Sequence, residues 1–340
     1  MKKVLHILKT GGYSGAENVA ITIINNYSTE YKGIYLSPQG DINKILADND
    51  IEHYCVDKID KNSVKNAISE IKPDIIHAHD YTTICIVTLV SKNIKIIGHI
   101  HNNVPWMKRI SIKSVWFRFR LKYVDELIAV SDAVFSECWY EKKMSKNGLV
   151  IGNPICINKI RDKKKGNINS DILFVGRITE QKNPLAFLNI VRKLKENNLT
   201  FKAIMLGKGN LQHVCQDYIS KYNLEDYVEM KGFADNPYDY MNDKSILVIT
   251  SDWEGFGLVA IEALAFGMPV ISTAVGGLTG IVNNECGLCT NNKDTMIMEI
   301  KKLLTDKQYY LSKSSNAINR ARKLNNIDEY MSKLYEIYEK

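Results

Sequence analysis

The stretch Ser251-Asp252-Trp253-Glu254-Gly255-Phe256-Gly257, followed by Leu258, Val259 and Glu262, has the residue types of an anion site with two acids set into it. Residues 246–250 are an aliphatic run that reads as a buried strand, and Leu258, Ile261, Glu262, Leu264 and Ala265 have helical spacing. Between the two, Gly255 and Gly257 let the backbone turn tightly and approach a ligand. The amides of Leu258 and Val259 then fall in a first helical turn. There no intrahelical acceptor exists and the helix dipole favours negative charge, so a diphosphate suits the place. Glu254 ahead of the helix and Glu262 within it would repel phosphate. As carboxylates they are good acceptors for vicinal hydroxyls, such as a ribose diol on one side and a sugar ring on the other. The plain alternative is a capping acid and a surface glutamate.

Other residues supply cations and possible partners. Residues 171–175 end in Gly176-Arg177, and Lys182 stands just before the next helical stretch. An arginine at a strand's carboxyl end and a lysine ahead of a helix place two cations on one diphosphate. They would neutralise a leaving nucleotide without a metal. In the first half, Gly11-Gly12-Tyr13-Ser14-Gly15-Ala16-Glu17 joins a strand to a helix, and His101 follows another strand in Gly98-His99-Ile100-His101-Asn102-Asn103. His77, His79 and His99 are its rivals.

Positioning these residues takes strands that stop and helices that start beside them. The chain alternates β-branched runs with helical stretches, the pattern of parallel sheets covered by helices. Strands are expected at 4–8, 33–37, 51–56, 74–77, 95–98 and 126–130, then at 171–175, 201–206, 227–230, 246–250 and 269–272. Helices are expected over 16–27, 62–71, 184–196, 211–222, 257–266, 293–304 and from about 307 onward. Residues 161–167 are charged without apolar period and read as a linker. The expectation is an α/β chain of two doubly wound, Rossmann-like domains facing each other across a cleft, with ligands at the carboxyl ends of strands. They cover 1–155 on the acceptor side and 165–324 on the donor side, with a last helix at about 325–340 packing back onto the first.

Gly176-Arg177…Lys182, together with Glu254 and Glu262 separated by seven residues, resembles the retaining glycosyltransferases of family 4, which have the GT-B fold and include bacterial cell-surface polysaccharide enzymes. The likeness is strongest over residues 171–280. It implies that Arg177 and Lys182 hold the diphosphate of a nucleotide sugar, with a UDP-sugar as the expected donor. Glu262 then takes the ribose, while Glu254 and the backbone of Gly255, Phe256 and Gly257 approach the transferred sugar. The segment Lys231-Gly232-Phe233 resembles the lining of the base pocket, Gly15 matches a phosphate-facing glycine, and His101 matches a sugar-facing histidine. The resemblance also implies attack from the face that the diphosphate leaves, with the donor phosphate accepting the acceptor's proton. No carboxylate pair at glycosidase spacing is then required. No metal or cofactor is expected, and Asp48-Asn49-Asp50 precedes a strand instead of ending one.

The remaining features narrow the setting. A formal charge of +7 over 340 residues suits anionic partners without choosing among them. Seven scattered cysteines give no disulfide framework, and Cys286-Gly287-Leu288-Cys289, with no second ligand pair nearby, reads as a glycine turn. No apolar run approaches the ~20 residues of a spanning helix. The first apolar run stops at Leu8, too short for a signal peptide, which predicts a cytoplasmic location. From Trp106 to Tyr123 the chain holds Lys108, Arg109, Lys113, Arg118, Arg120 and Lys122 and no acid, with Ile112, Val115, Trp116, Phe119 and Tyr123 able to share a helix face. Two readings stand: a helix docked on an anionic inner membrane face near a polyprenyl-diphosphate-linked saccharide acceptor, or a core-facing helix with a solvated basic side. The functional alternatives are a non-catalytic nucleotide-sugar-binding protein and another GT-B enzyme such as a sugar-nucleotide epimerase. Nucleic-acid binding is disfavoured for want of a stacking platform. Gly207-Lys208-Gly209 lacks the third glycine of a dinucleotide fingerprint.

Overall fold

Runs such as Val4-Leu5-His6-Ile7 and Ile246-Leu247-Val248-Ile249 have no clean alternation of polar and apolar residues, so strands made from them need cover on both faces. The computed structural model describes residues 1–340 other than Lys92, Asn147, Asn169, Asp235, Asp243 and Lys244. It forms two parallel sheets flanked by helices. The chain divides into two compact units, Met1–Pro154 with Ile327–Lys340, and Ile155–Asn326.

In the first unit the strands are β1 (Lys2–Ile7), β2 (Tyr31–Pro38), β3 (Glu52–Val56), β4 (Ile75–His79), β5 (Lys95–Ile100), β6 (Glu126–Ala129) and β7 (Gly148–Val150). Their order is β3-β2-β1-β4-β5-β6-β7, with parallel neighbours throughout. The register sets His6 opposite His77 and His79 opposite His99. The last helix, Ile327–Glu339, belongs to this unit and buries Tyr330, Met331, Leu334, Ile337 and Tyr338.

The second unit contains β8 (Ile172–Val175), β9 (Ala203–Leu206), β10 (Val228–Gly232), β11 (Ile246–Ile249), β12 (Val270–Ser272) and β13 (Gly287–Cys289), in the order β10-β9-β8-β11-β12-β13. Alternation assigns Leu173, Leu247 and Ile249 to one core with Ala260, Ile261 and Leu264, and Ile172, Phe174, Ile246 and Val248 to another with Phe187, Val191 and Leu194. Strand order reverses between β1 and β4, and again between β8 and β11. At such a reversal the chain leaves adjacent strands toward opposite faces and opens a crevice at their carboxyl ends. Residues 176–182 and 250–257 follow β8 and β11, so they share that crevice.

The structure departs from the sequence expectation in four places. Gly148–Val150 and Gly287–Cys289 are strands of three residues, too short to show a period. The second corrects the reading of Cys286–Cys289 as a turn, since Cys286 is buried and Gly287 to Cys289 pair with β12. The helix expected from about 307 is two, Lys307–Lys323 and Ile327–Glu339, with Asn325 and Asn326 between them accepting from the backbone amides of Ile157 and Ile155. Residues 161–167 lie inside the second unit. Their first two complete the helix Ile157–Asp162, and the Asp239 carboxylate accepts from the amides of Lys165 and Gly166 at 2.7 and 2.5 Å.

Leu334 is fully buried on the returning helix. Leu334→Ala is expected to destabilise the full-length chain by about 2–5 kcal/mol, read as a lower urea midpoint by circular dichroism.

Candidate functional site

The crevice between β8 and β11 is built by side chains that tie its two loops together. Thr250 Oγ1 donates to the carbonyls of Lys182 and Asn183 at 3.1 and 2.9 Å. The Asp252 amide donates to the Gln181 carbonyl at 2.9 Å, and Gln181 Nε2 donates to the Trp253 carbonyl at 3.2 Å. Arg177 Nη2 in turn donates to Gln181 Oε1 at 2.9 Å. On this frame Lys182 Nζ meets Glu254 Oε2 at 2.5 Å, with the two side chains only 15% and 13% exposed. Ser251 Oγ donates to the same carboxylate oxygen at 3.3 Å. Shielding from water strengthens this pair relative to a surface ion pair.

A third loop holds Glu254 from behind. Gly276 lies at φ +52°, where a Cβ would stand 1.5 Å from the Glu254 carbonyl oxygen. Only glycine allows so close an approach in that conformation. The Gly277 amide donates to the Gly255 carbonyl at 3.1 Å, and Thr273 Oγ1 to that of Ser251 at 2.7 Å. Spacing arguments pass over this Gly276-Gly277 pair; its signal is two glycines four and five residues past a strand.

Gly257 caps the helix Leu258–Ala265 at φ +99°, and the Ala260 amide closes on its carbonyl at 3.0 Å. Leu258 and Val259 are therefore first-turn residues, as expected. Phe256 packs partly buried against the core beneath. Glu262 sits one turn further on, where Tyr238 donates to its Oε1 at 3.1 Å. Burial raises the Glu262 pKa, opposed by the Tyr238 hydrogen bond and the charge of Lys163. The two glutamates thus have different partners, with Lys182 paired to Glu254 and Arg177 to Gln181. Gly232 ends β10 with its carbonyl accepting from the Gly207 amide at 2.7 Å, and the neighbouring Phe233 is exposed. Lys231 pairs with Glu229.

In the first unit Gly15 opens the helix Gly15–Ile24 and is exposed. The nearby Glu17 is buried and accepts from Ser14 Oγ and Thr10 Oγ1, so it serves the loop's shape. His101 follows β5, and its Nε2 lies 2.8 Å from His79 Nδ1. The sequence rivals prove to be its neighbours: ring nitrogens of His79, His99 and His101 lie within 4.8 Å of one another, as do those of His6, His77 and His79. Imidazole trios at that spacing are metal-ligating chemistry. Asp48 and Asp50 join no such group among the described residues.

Comparison with known proteins defines the class. HepE of Anabaena in complex with UDP and glucose superimposes at a TM-score of 0.85 over 99% of both chains, at 18% identity, which gives the fold as GT-B. Residues 158–324 match the family model of glycosyl transferases group 1, and residues 52–155 that of Glycosyltransferase Family 4. The chain belongs to glycosyltransferase family 4. An uncharacterized glycosyltransferase of Methanocaldococcus jannaschii is 29% identical over 230 residues, 61% of this chain and 57% of that protein. The UDP-Gal:α-D-GlcNAc-diphosphoundecaprenol α-1,3-galactosyltransferase of Escherichia coli is 25% identical over 301 residues, 81% of this chain and 78% of that one.

Glu262 carries a pH signature. Its folded-state pKa is raised, so the unfolded chain gives up this proton first. The contribution of Glu262 therefore turns unfavourable as pH climbs from the ordinary carboxylate range through the raised value. Glu262→Gln is expected to gain thermal stability over the wild type at neutral pH and to lose that advantage below about pH 4, measured as Tm against pH.

Proposed function

We propose that this chain moves a hexose or N-acetylhexosamine from a nucleotide-diphosphate sugar, with UDP as the nucleotide, to a polyprenyl-diphosphate-linked saccharide. Configuration is retained, and the product serves a cell-surface polysaccharide. The observation that carries the reading is the shielded Lys182–Glu254 pair at the β8–β11 crevice, on loops that Gln181 ties to Arg177. A donor diphosphate entering there exchanges the carboxylate partner of Lys182 for phosphate oxygens. Glu254 is then released to accept from a sugar hydroxyl. Arg177 adds a second cation, and the first-turn amides of Leu258 and Val259 donate to phosphate. As the bond from C1 to the diphosphate breaks, these groups offset the charge that grows on the leaving group, so no metal is needed. The acceptor oxygen bonds C1 on the same face, and its proton passes to the departing phosphate. Glu262 takes the ribose diol, and Gly232 and Phe233 line the base. Gly15 and His101 keep the phosphate-facing and sugar-facing roles that the family resemblance gives them. Support for donor and acceptor comes from the UDP and glucose bound by HepE and the diphosphoundecaprenol acceptor in the E. coli relative's name.

The acceptor reading gains from the helix Ile112–Arg120. Phe117, Ser114 and Arg120 turn inward, and the Arg120 guanidinium donates to Thr88 Oγ1 and its carbonyl at 3.1 and 2.5 Å. Ile110, Ile112, Val115, Trp116, Phe119 and Tyr123 are exposed, Ile112 by 94%. This is the opposite of a core-facing apolar stripe. Lys113 lies 4.5 Å over the Trp106 ring and Lys122 4.5 Å over that of Phe119, so cations flank the exposed apolar side chains. Among the described residues no helix is long and apolar enough to cross a membrane. The proposed location is peripheral, on the anionic cytoplasmic face of the membrane.

Transfer assays with candidate UDP-sugars test the enzyme. Glu262→Ala is expected to raise donor KM about tenfold or more with kcat nearly kept, and Glu254→Ala to lower kcat by a similar factor or more at nearly unchanged KM. Wild-type turnover should persist in EDTA; complete loss restored by Mn²⁺ would overturn the metal-free reading. Binding of donor without turnover would instead favour the non-catalytic alternative, and epimerised donor would favour the epimerase. For the membrane face, flotation should recover the protein with phosphatidylglycerol vesicles and not with phosphatidylcholine alone. Changing Arg109, Lys113, Arg118 and Lys122 to glutamate should abolish recovery, and equal recovery of that variant would sink the proposal.

A further inference from the structure

Five of the chain's seven histidines stand together in the first unit. His6, His77, His79 and His99 lie on β1, β4 and β5 at paired or alternate positions, and His101 continues the β5 alternation. Their rings stack, His77 on His79 at 4.5 Å and 5°, His79 on His101 at 5.1 Å and 16°. A parallel sheet normally fills such positions with aliphatic side chains, so a run of imidazoles, four buried and His101 half-buried, calls for partners at its ring nitrogens.

The partners form one chain with two branches. Tyr27 Oη lies 2.7 Å from His6 Nε2, His6 Nδ1 is 3.0 Å from His79 Nε2, and His79 Nδ1 is 2.8 Å from His101 Nε2. Tyr338 Oη lies 2.7 Å from His77 Nδ1, and His77 Nε2 is 3.2 Å from His99 Nδ1. The two hydroxyls join the branches at 2.8 Å. The outer nitrogens, His101 Nδ1 and His99 Nε2, are buried with no partner among the described residues. Both ring nitrogens of His6, His77 and His79 are engaged, which favours a hydrogen-bonded chain over a metal centre at either trio.

Burial keeps every ring neutral near pH 7. His6 and His101 are pushed down to about 3, and His77, His79 and His99 well below the ordinary range. Burial likewise holds the Tyr27 and Tyr338 hydroxyls protonated. Each imidazole therefore has one N–H and one bare nitrogen, and each tyrosine one O–H. If Tyr27 donates to His6, the proton on His6 is at Nδ1, and the same follows for His79 and His101. Tyr338 must then donate to Tyr27, so His77 donates to Tyr338 through Nδ1–H and His99 to His77 through Nδ1–H. If Tyr338 donates to His77 instead, every step reverses, and all five rings carry the proton at Nε2. Mixed states place two N–H groups or two lone pairs face to face in a buried site.

We infer that these seven groups form a single two-state network in which Tyr27 and Tyr338 act as positioning residues for His101, deciding whether its Nδ1 presents a proton or a lone pair. Its two outer ends are opposite: His101 Nδ1 carries a proton when His99 Nε2 does not. Passage from the Nδ1–H to the Nε2–H state releases one proton at His101 Nδ1 for each one taken up at His99 Nε2. The consequence for transfer rests on the sugar-facing role of His101 proposed above; the network itself does not.

Two-bond proton–nitrogen correlation spectra of the ¹⁵N-histidine-labelled full chain read each tautomer directly. All five rings should share one tautomer in the wild type. In Tyr27→Phe, Tyr338 has only His77 left to donate to, so His77 and His99 should be Nε2–H. In Tyr338→Phe, Tyr27 donates to His6, so His6, His79 and His101 should be Nδ1–H. One variant therefore switches a branch and the other leaves its branch as in the wild type. Mixed tautomers in the wild type, or no switch in either variant, would overturn the network, and the wild-type spectrum decides even if a variant misfolds. If the branch ending at His101 switches while kcat and donor KM stay unchanged, the network stands and the sugar-facing role of His101 falls.

Discussion

The second unit depends on a pairing that skips the sequence: β8 lies beside β11, 72 positions separating Lys182 from Glu254 although their side chains touch. In a parallel sheet the connections from two such neighbours leave toward opposite faces, so the space above their carboxyl ends is the one place no crossover fills. The loops there are free to carry polar groups because β8 and β11 below them are wholly apolar. Thr250, Gln181 and Gly276 turn that topological gap into a fixed cradle by hydrogen bonds and close backbone contact.

Charge in the cradle is balanced within the protein itself. A buried lysine or glutamate alone would be strongly disfavoured, but as partners they satisfy each other. On the proposed function the same pairing would exchange, an incoming diphosphate offering Lys182 phosphate oxygens and its hydroxyl-bearing end offering Glu254 donors. Glu262 is held differently. Its raised pKa comes from burial, which the Tyr238 hydrogen bond and the charge of Lys163 oppose, and the proposal gives it a neutral diol as partner.

The first unit solves an unrelated problem with comparable economy of means. Its sheet face carries imidazoles where aliphatics are usual, and the returning helix supplies the Tyr338 hydroxyl that joins their two branches through Tyr27. The helix thus does more than cover apolar surface: it closes a polar interior that has few other outlets.

How much was legible follows from range. The strand and helix runs, the glycines at 255 and 257, and the Arg177, Lys182, Glu254 and Glu262 set are local patterns, and the sequence by itself determined them, along with the α/β class and the glycosyltransferase family. Three-residue edge strands at β7 and β13 were not legible because their pairing energy comes from neighbours and not from their own pattern. That the apolar side of Ile112–Arg120 faces outward was undecided, since periodicity gives a face but not what lies against it. Only the tertiary structure decided that Lys182 answers Glu254 and that Tyr238 answers Glu262. It alone also showed that His77, His79 and His99, first read as rivals of His101, are members of one chain with it. Each of these is a contact between residues far apart in sequence, and no spacing rule reaches across a crossover connection.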